Sequence, residues 1–398
     1  MMNSSITSKN RMIITVASFF LLTMITVLFY NLSVSQGGNG ISYLFLGGGD
    51  DGLFYYEQAI NINEGYSWIS TSIYPVLLAS VMSFFGSNHP LILRLFNVLG
   101  FMILIFFKDR IIFEIVSNSI YENKSYLAKR IQYSSTLFLT LYLSLVMNLT
   151  VSLLRDIWIF ATFEALLYIS LKMRRNRSLS IIPYIGIFIT LSVFLFNLRE
   201  YALIAFLIGY ILNRYTSKKS ISKKSLFYLL LVFVIYYTFA RTVKLPFINL
   251  SFADGLSYRF NSTINNAGGS QLFINLNQDN VVVFLFNLFY SLISNLVGPL
   301  VWQVNGVSTL AIFVFESIPM VYMLYYSLKN KEFFPRSGNI LIWTSMAWFI
   351  IIAVINDNLG TASRLRILGW INIIIIYSFI RFYKKEGYNG KNNSSNNY

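Results

Sequence analysis

The sequence predicts an all-α integral membrane protein, a polytopic bundle of about 10–12 transmembrane helices. Of its 398 residues, 56% are hydrophobic and only 12% are charged, a balance that is not typical of a soluble domain. The apolar residues form long runs separated by short basic clusters, which differs from the alternating pattern of barrel strands. The chain has no cysteine, and this excludes disulfides and thiol chemistry.

The first apolar run covers residues 12–34 and follows a basic N-terminal segment. It is too long for the apolar part of a cleaved signal peptide, so we expect an uncleaved first span. The later apolar runs cover residues 73–85, 91–107, 131–153, 157–171, 180–196, 201–212, 226–240, 281–302, 309–328, 340–355 and 367–380. Because run 73–85 is short and run 281–302 is broken at Gly298-Pro299, we expect both to insert only part-way. About ten complete crossings remain.

Five basic loops set the predicted topology. The positive-inside rule assigns each of them to the cytoplasm, together with both termini: residues 108–130, 172–177, 214–224, 329–336 and 381–391. These loops explain most of the net charge of +15, so binding of nucleic acid is not expected. The abundance of Ile, Asn, Phe and Lys is typical of an AT-rich bacterial gene, and we expect a bacterial inner (plasma) membrane.

The chain contains no repeat and no segment long enough for a separate soluble domain. We therefore predict one transmembrane domain over residues 1–383, with outer loops at about 35–70 and 241–280. The loop 241–280 either contributes to binding of an acceptor or only connects two spans. Residues 384–398 are rich in Lys, Asn and Ser, and we expect a disordered cytoplasmic tail.

The basic residues predicted to lie outside are nearly all arginines: Arg94, Arg155, Arg199, Arg241, Lys244, Arg259, Arg364 and Arg366. Arginine binds phosphate through a planar, two-pronged donor and keeps its charge when half-buried. The pairs Arg155-Asp156 and Arg199-Glu200 each lie in a tight hairpin between apolar runs. Each pair either closes its hairpin as a structural ion pair or contributes to a shared anion pocket.

The polar motif NDNLGTASRLR, residues 356–366, precedes the last span. Its hydroxyls, its backbone N–H groups and the two arginines Arg364 and Arg366 predict a second anion site at a helix N-terminus. An outer loop with capping residues is the alternative.

The acidic segment GGGDDGLFYYEQAINI, residues 47–62, follows the first span and is predicted to lie outside. Three glycines allow a sharp turn, and Asp50 and Asp51 stand just before a helical pattern. One carboxylate can cap the helix while the other faces a pocket, although both can also act only as caps.

This segment resembles the first outer loop of the GT-C superfamily of polyprenyl-phosphate-sugar-dependent glycosyltransferases, such as the protein O-mannosyltransferases and the aminoarabinose transferases. Asp51, Tyr55 and Ala59 match its acidic motif. Later features match as well: Tyr74-Pro75, Gly86, and Arg94-Leu95-Phe96-Asn97. The resemblance covers about the first 110 residues. Gly52 stands where the family often has Glu, which argues against a paired-carboxylate metal site.

The resemblance implies a GT-C-like fold and a transferase that moves a sugar from a polyprenyl-phosphate donor to a glycan or lipid acceptor. Asp51, with Asp50 as its substitute, would be the catalytic base. The predicted phosphate- and substrate-binding residues are Arg199, Arg364, Arg366, Arg155, Tyr55, Arg94 and Arg259. Two other functions remain open: an O-antigen or capsule repeat-unit polymerase, and a flippase or transporter of lipid-linked oligosaccharide.

No cofactor and no metal site is predicted, and a divalent ion has no ligand set to support it. The single histidine, His89, precedes Pro90 in a turn, where a solvated role is expected. Glu164 and Glu316 fall inside apolar runs and are expected to face the bundle interior. These two carboxylates are the features that favour a transporter, because a transport path needs charges at mid-membrane depth.

Overall fold

The computed structural model describes residues 2–43, 50–119, 123–175, 181–218, 223–244, 251–265 and 270–395. Over these ranges the protein is all-helical, with two isolated β-bridges and no strand, so the all-α prediction is confirmed there. The helices are α1 Met2–Ser35, α2 Asp50–Glu64, α3 Tyr74–Phe85, α4 Pro90–Ser117, α5 Lys124–Thr140, α6 Leu143–Thr150, α7 Asp156–Arg175, α8 Ile182–Leu198, α9 Glu200–Lys218, α10 Lys223–Phe239, α11 Phe252–Asn265, α12 Val281–Val297, α13 Val307–Ile312, α14 Ile318–Lys329, α15 Asn339–Ile355, α16 Leu359–Leu365 and α17 Ile367–Ser395.

Five of the described helical segments are long and apolar enough to cross a membrane: Lys9–Ser35, Pro90–Ser117, Val307–Lys329, Arg336–Ile355 and Ile367–Lys385. The described residues also include shorter apolar helices, namely α3, α8 and α12. Several membrane crossings fit a multi-pass protein, in agreement with the composition.

Local sequence signals explain where several helices begin and end. Pro75 lies in the first turn of α3, and Gly86 ends this helix with a left-handed φ of 59°. His89 caps α4 by accepting a hydrogen bond from the backbone N–H of Leu91, and Pro90 follows it. Asn280 caps α12 in the same way. Proline, glycine and capping side chains thus set the ends of these helices.

The chain divides into two compact units. The first unit comprises Met1–Phe206, Leu324–Leu341 and Ile371–Tyr398. Its centre is the close packing of α4 against α7, where a Cβ on Gly100 would lie 3.2 Å from Ile157. Helix α1 packs against α5, and the hydroxyls of Ser18 and Thr140 are hydrogen-bonded at 2.7 Å.

The second unit comprises Leu207–Met323 and Ile342–Trp370. Helices α9 and α15 approach closely at Gly209, where a Cβ would lie 2.4 Å from the Cα of Thr344. A separate apolar cluster joins α10, α11, α12 and the segment before α12; its buried members are Tyr237, Leu256, Ile274, Leu276 and Phe284.

Helix α17 continues through Ser395. Its first fourteen residues are buried and apolar in large part, and propagation from a formed helix adds one hydrogen bond per residue. Residues 396–398 lie outside the described part of the chain.

Candidate functional site

The segment between α6 and α7 is held in place by Arg94. This side chain is fully buried in α4 and donates hydrogen bonds to the carbonyls of Gly40, at 2.9 Å, and Thr150. Arg94 was predicted to bind phosphate, but it does not line the cavity described below. Its guanidinium joins two loop segments instead.

Asn97 fixes the same segment from one helical turn further along α4. Its side-chain amide donates to the carbonyl of Leu154 at 2.9 Å, and its oxygen accepts from Tyr74 and Trp158, each at 3.0 Å. Asn97 is 1% exposed, so this network is shielded from water. The residue after Leu154 is Arg155, whose backbone position is therefore tightly determined.

Gly52 allows α2 to approach this segment. A Cβ at position 52 would lie 2.3 Å from the Oγ of Ser152 and 3.0 Å from the backbone nitrogen of Leu153. No larger residue fits at position 52 unless α2 or the segment between α6 and α7 shifts. The close approach brings Tyr55, one turn further along α2, next to Arg155.

Two arginines each lie over the ring of a tyrosine. The guanidinium carbon of Arg155 lies 5.5 Å from the ring centroid of Tyr55, and that of Arg199 lies 5.1 Å from the ring of Tyr201. Cation–π contacts of this kind hold a guanidinium in one orientation while its edge stays available for hydrogen bonds.

Arg199 forms an ion pair across two hairpins rather than within its own. Its Nη1 lies 3.3 Å from the carboxylate of Asp156, which also accepts a hydrogen bond from Asn148 at 3.4 Å. The side chains of Arg199 and Asp156 are 9% and 0% exposed. The charges of the two predicted pairs therefore meet in one cluster.

A cavity of about 510 Å³ opens beside this cluster. It is lined by residues 70–73 and 196–201 together with Trp68, Val76 and Arg155. Three donor groups of the lining residues have no hydrogen-bond partner within the described residues: the Oγ of Ser72, the Nε of Arg155 and the Nε of Arg199. Ser72 is 7% exposed, and buried donors normally have acceptors. The arrangement suits an anion that accepts several hydrogen bonds.

Burial of the cluster shifts the pKa values of two of its side chains. Burial raises the pKa of the Tyr55 hydroxyl above its usual value, and the charge of Asp51 adds to this effect while Arg155 opposes it. Burial, followed by the charge of Arg199, lowers the pKa of the Arg155 guanidinium. Tyr55 therefore remains a neutral hydroxyl at physiological pH.

The predicted catalytic carboxylates lie at the start of α2. Asp51 is exposed and precedes Tyr55 by four residues, so both side chains share one face of the helix. Asp51 does not line the cavity. Asp50 begins the helix, and its side chain lies outside the described part of the structure.

The other predicted arginines belong to the second unit. Arg366 is fully buried, forms an ion pair with Glu316 at 2.5 Å and donates to the carbonyl of Gly298. Arg259 forms an ion pair with Asp357 at 3.0 Å. Arg364 is half-buried in α16. The guanidinium groups of Arg259 and Arg366 are thus committed to carboxylates of their own unit.

The sequence interpretation missed the residues that complete the cavity. Ser72 and Trp68 lie on the segment before α3, and the backbone N–H of Ile73 donates to the carbonyl of Asn197 at 3.0 Å, which joins this segment to the hairpin of Arg199. The polar run of residues 70–72 before Tyr74-Pro75 was the available signal.

The described residues contain no group of three or more His, Asp or Glu side chains that could hold a metal ion. The sequence matches no known family model, no curated protein and no solved structure.

Proposed function

We propose that this protein is a membrane glycosyltransferase that takes a sugar from a polyprenyl-phosphate donor, with the donor phosphate bound in the cavity. One observation carries the proposal: Ser72, Arg155 and Arg199 line one cavity, and each side chain has a donor atom with no hydrogen-bond partner within the described residues. Phosphate oxygens are strong acceptors that match the forked donors of arginine.

The charge balance favours a lipid monophosphate over a lipid diphosphate. Arg155 and Arg199 bring two positive charges to the cavity, and the buried carboxylate of Asp156 cancels one of them. The remaining charge matches the single negative charge of a phosphodiester. Glu200 also lines the cavity, but it is exposed, and solvent screens its charge. A repeat-unit polymerase that acts on a diphosphate-linked donor fits this balance less well.

The proposed reaction is a single displacement with inversion at the sugar. A hydroxyl of the acceptor attacks the anomeric carbon, its proton passes to a carboxylate, and the bond from that carbon to the phosphate oxygen breaks. Arg155 and Arg199 stabilise the charge that develops on the leaving phosphate. Asp51, or Asp50 in its place, is the proposed base; Asp51 lies on the same helix face as Tyr55, which contacts Arg155.

Membership of the GT-C superfamily, ten to twelve crossings, cytoplasmic termini and a bacterial inner membrane belong to the same proposal. Ten crossings require that several helices shorter than the five long ones also span the bilayer.

The test is sugar transfer in membranes that carry the wild type or one of the variants Arg155→Gln, Arg199→Gln and Asp51→Asn. A pool of polyprenyl-phosphate sugars is supplied, and glycan products are identified by mass. We expect both arginine variants to lose donor binding, and Asp51→Asn to bind donor but lose transfer. The matched control is Arg110→Gln, because Arg110 is exposed, lies over the ring of Phe106 and does not line the cavity. Full transfer in both arginine variants would exclude this cavity as the phosphate site.

A transporter of lipid-linked glycan is the second candidate. Glu164 is fully buried in α7, and neither carboxylate oxygen has a hydrogen-bond partner within the described residues. An intramembrane carboxylate of this kind can serve a transport path. Glu316 supports this function less, because it is paired with Arg366. Movement of glycan across the bilayer without bond formation would favour the transporter.

A further inference from the structure

Lys329 ends an exposed apolar face of α14. Tyr325 and Leu328 precede it by four residues and by one, and they are 61% and 69% exposed. The Nζ of Lys329 lies 5.7 Å from the ring centroid of Tyr325. All three residues belong to the helical segment Val307–Lys329, which is long and apolar enough to cross a membrane. Tyrosine and lysine at the end of such a segment lie at the level of the lipid headgroups.

Lys384 of α17 is held beside the same end of α14. Its Nζ donates a hydrogen bond to the side-chain oxygen of Asn330 at 2.7 Å and lies 5.7 Å from the ring centroid of Phe333. Asn330 directly follows Lys329, is 4% exposed and donates through its amide to the carbonyl of Tyr326 at 2.8 Å. A fixed amide thus places the ammonium group of Lys384 next to the residue that ends α14.

The two segments that meet here carry an excess of positive charge. Residues 329–336 and 381–386 contain six basic side chains and two acidic ones. Lys329, Lys331 and Lys384 are exposed, and none of them forms an ion pair within the described part of the chain. Each ammonium group has three N–H donors, and the bond to Asn330 uses one of those of Lys384. The cluster therefore suits an anion that accepts several hydrogen bonds.

We propose that Lys329 and Lys384, with Lys331 beside them, form a binding site for the phosphate headgroup of an anionic membrane lipid. The acyl chains would lie along the exposed face of Tyr325 and Leu328, which is continuous with Lys329 and favours a lipid over a free phosphate. Both segments belong to loops that we expect on the cytoplasmic side, whose leaflet contains anionic lipids. The inference concerns residues other than those of the cavity and does not depend on the transferase proposal.

The test measures binding of phosphatidylglycerol and phosphatidylcholine to the full-length protein by native mass spectrometry from detergent micelles. A basic residue near the membrane surface contributes about 1 kcal/mol to the binding of anionic lipid, which corresponds to about fivefold in affinity. We expect Lys329→Gln and Lys384→Gln each to weaken binding of phosphatidylglycerol about fivefold, and the double variant to weaken it about thirtyfold. Binding of phosphatidylcholine should not change, and Lys384→Arg, which keeps the charge, should bind phosphatidylglycerol as the wild type does.

Lys385→Gln is the matched control, because it removes the same charge from the next residue of α17, which points about 100° away around the helix. It should weaken binding far less than Lys384→Gln. Three results would each overturn the proposal: the wild type binds phosphatidylglycerol no more tightly than phosphatidylcholine, Lys385→Gln and Lys384→Gln have equal effects, or soluble glycerol phosphate binds as tightly as the lipid. The second result would indicate diffuse attraction, and the third a site for free anions.

Discussion

Separate and joint substitution of Asp156 and Arg199 tests whether their ion pair is the structural basis of the cavity. The two side chains are 0% and 9% exposed and lie 3.3 Å apart. Asp156→Asn leaves Arg199 buried without its counter-charge, and Arg199→Met leaves Asp156 in the same situation. Removal of one member of a buried pair typically costs about 3–5 kcal/mol.

The double variant should behave differently, because it leaves no buried charge uncompensated. Replacement of a buried pair by uncharged groups of similar volume is often close to neutral. We therefore expect the double variant to be at least as stable as either single variant, with a coupling energy of about 3 kcal/mol or more. Transfer should remain absent in it, since the Arg199 guanidinium is gone.

The assay is unfolding of the protein in nanodiscs, followed by tryptophan fluorescence, for the wild type and the three variants. Sugar transfer is measured on the same preparations. If the destabilisation in the double variant equals the sum of the two single effects, the pair is not an energetic unit, and the reasoning from its geometry fails.

Four further predictions concern other parts of the molecule. Gly52→Ala should destabilise the protein by about 1–3 kcal/mol and reduce transfer, because the new methyl group collides with Ser152; unchanged unfolding and transfer would contradict the close packing. Ser251→Ala should cost about 1 kcal/mol in unfolding measurements, since Ser251 and Asp254 cap α11 reciprocally. Hydrogen bonds from Ser251 lower the pKa of Asp254. The contribution of this carboxylate to the free energy of unfolding is therefore present above the usual carboxyl pKa and is lost as the pH falls through the pKa of the folded state. Asp254→Asn should remove that part of the pH dependence of unfolding. Glu164→Gln should leave sugar transfer unchanged; loss of glycan movement across the bilayer in this variant, with no sugar transfer by the wild type, would favour the transporter.

Composition and periodicity were sufficient to predict the helical membrane fold, because a bilayer requires long apolar helices and short polar connections. They did not predict the two compact units. That division depends on which helices pack together, and apolar faces of similar composition do not encode their partners.

The sequence singled out the neighbouring residues Arg155-Asp156 and Arg199-Glu200 as charged pairs. It did not predict which arginine forms an ion pair with which carboxylate. In each pair the arginine lies just before a helix and the acidic residue is the first residue of that helix, α7 or α9. The partner of Arg199 is Asp156 of the other hairpin. Such a cross-hairpin contact follows from tertiary packing, as does the contribution of Ser72, which no motif marked.

Arg366 is held by a carboxylate that the sequence did not pair with it. Its position after hydroxyls at a helix start suggested phosphate binding, and Glu316 appeared to be an isolated intramembrane charge. The structure pairs the two, and Glu316 reaches Arg366 from a π-helical turn, residues Phe313–Ser317, inside a long apolar helix. A charge buried in such a helix requires a partner, so each residue satisfies the other and neither is available to a ligand without breaking the pair. Arg155 and Arg199 differ from Arg366 in their position, because both side chains belong to residues that line the cavity.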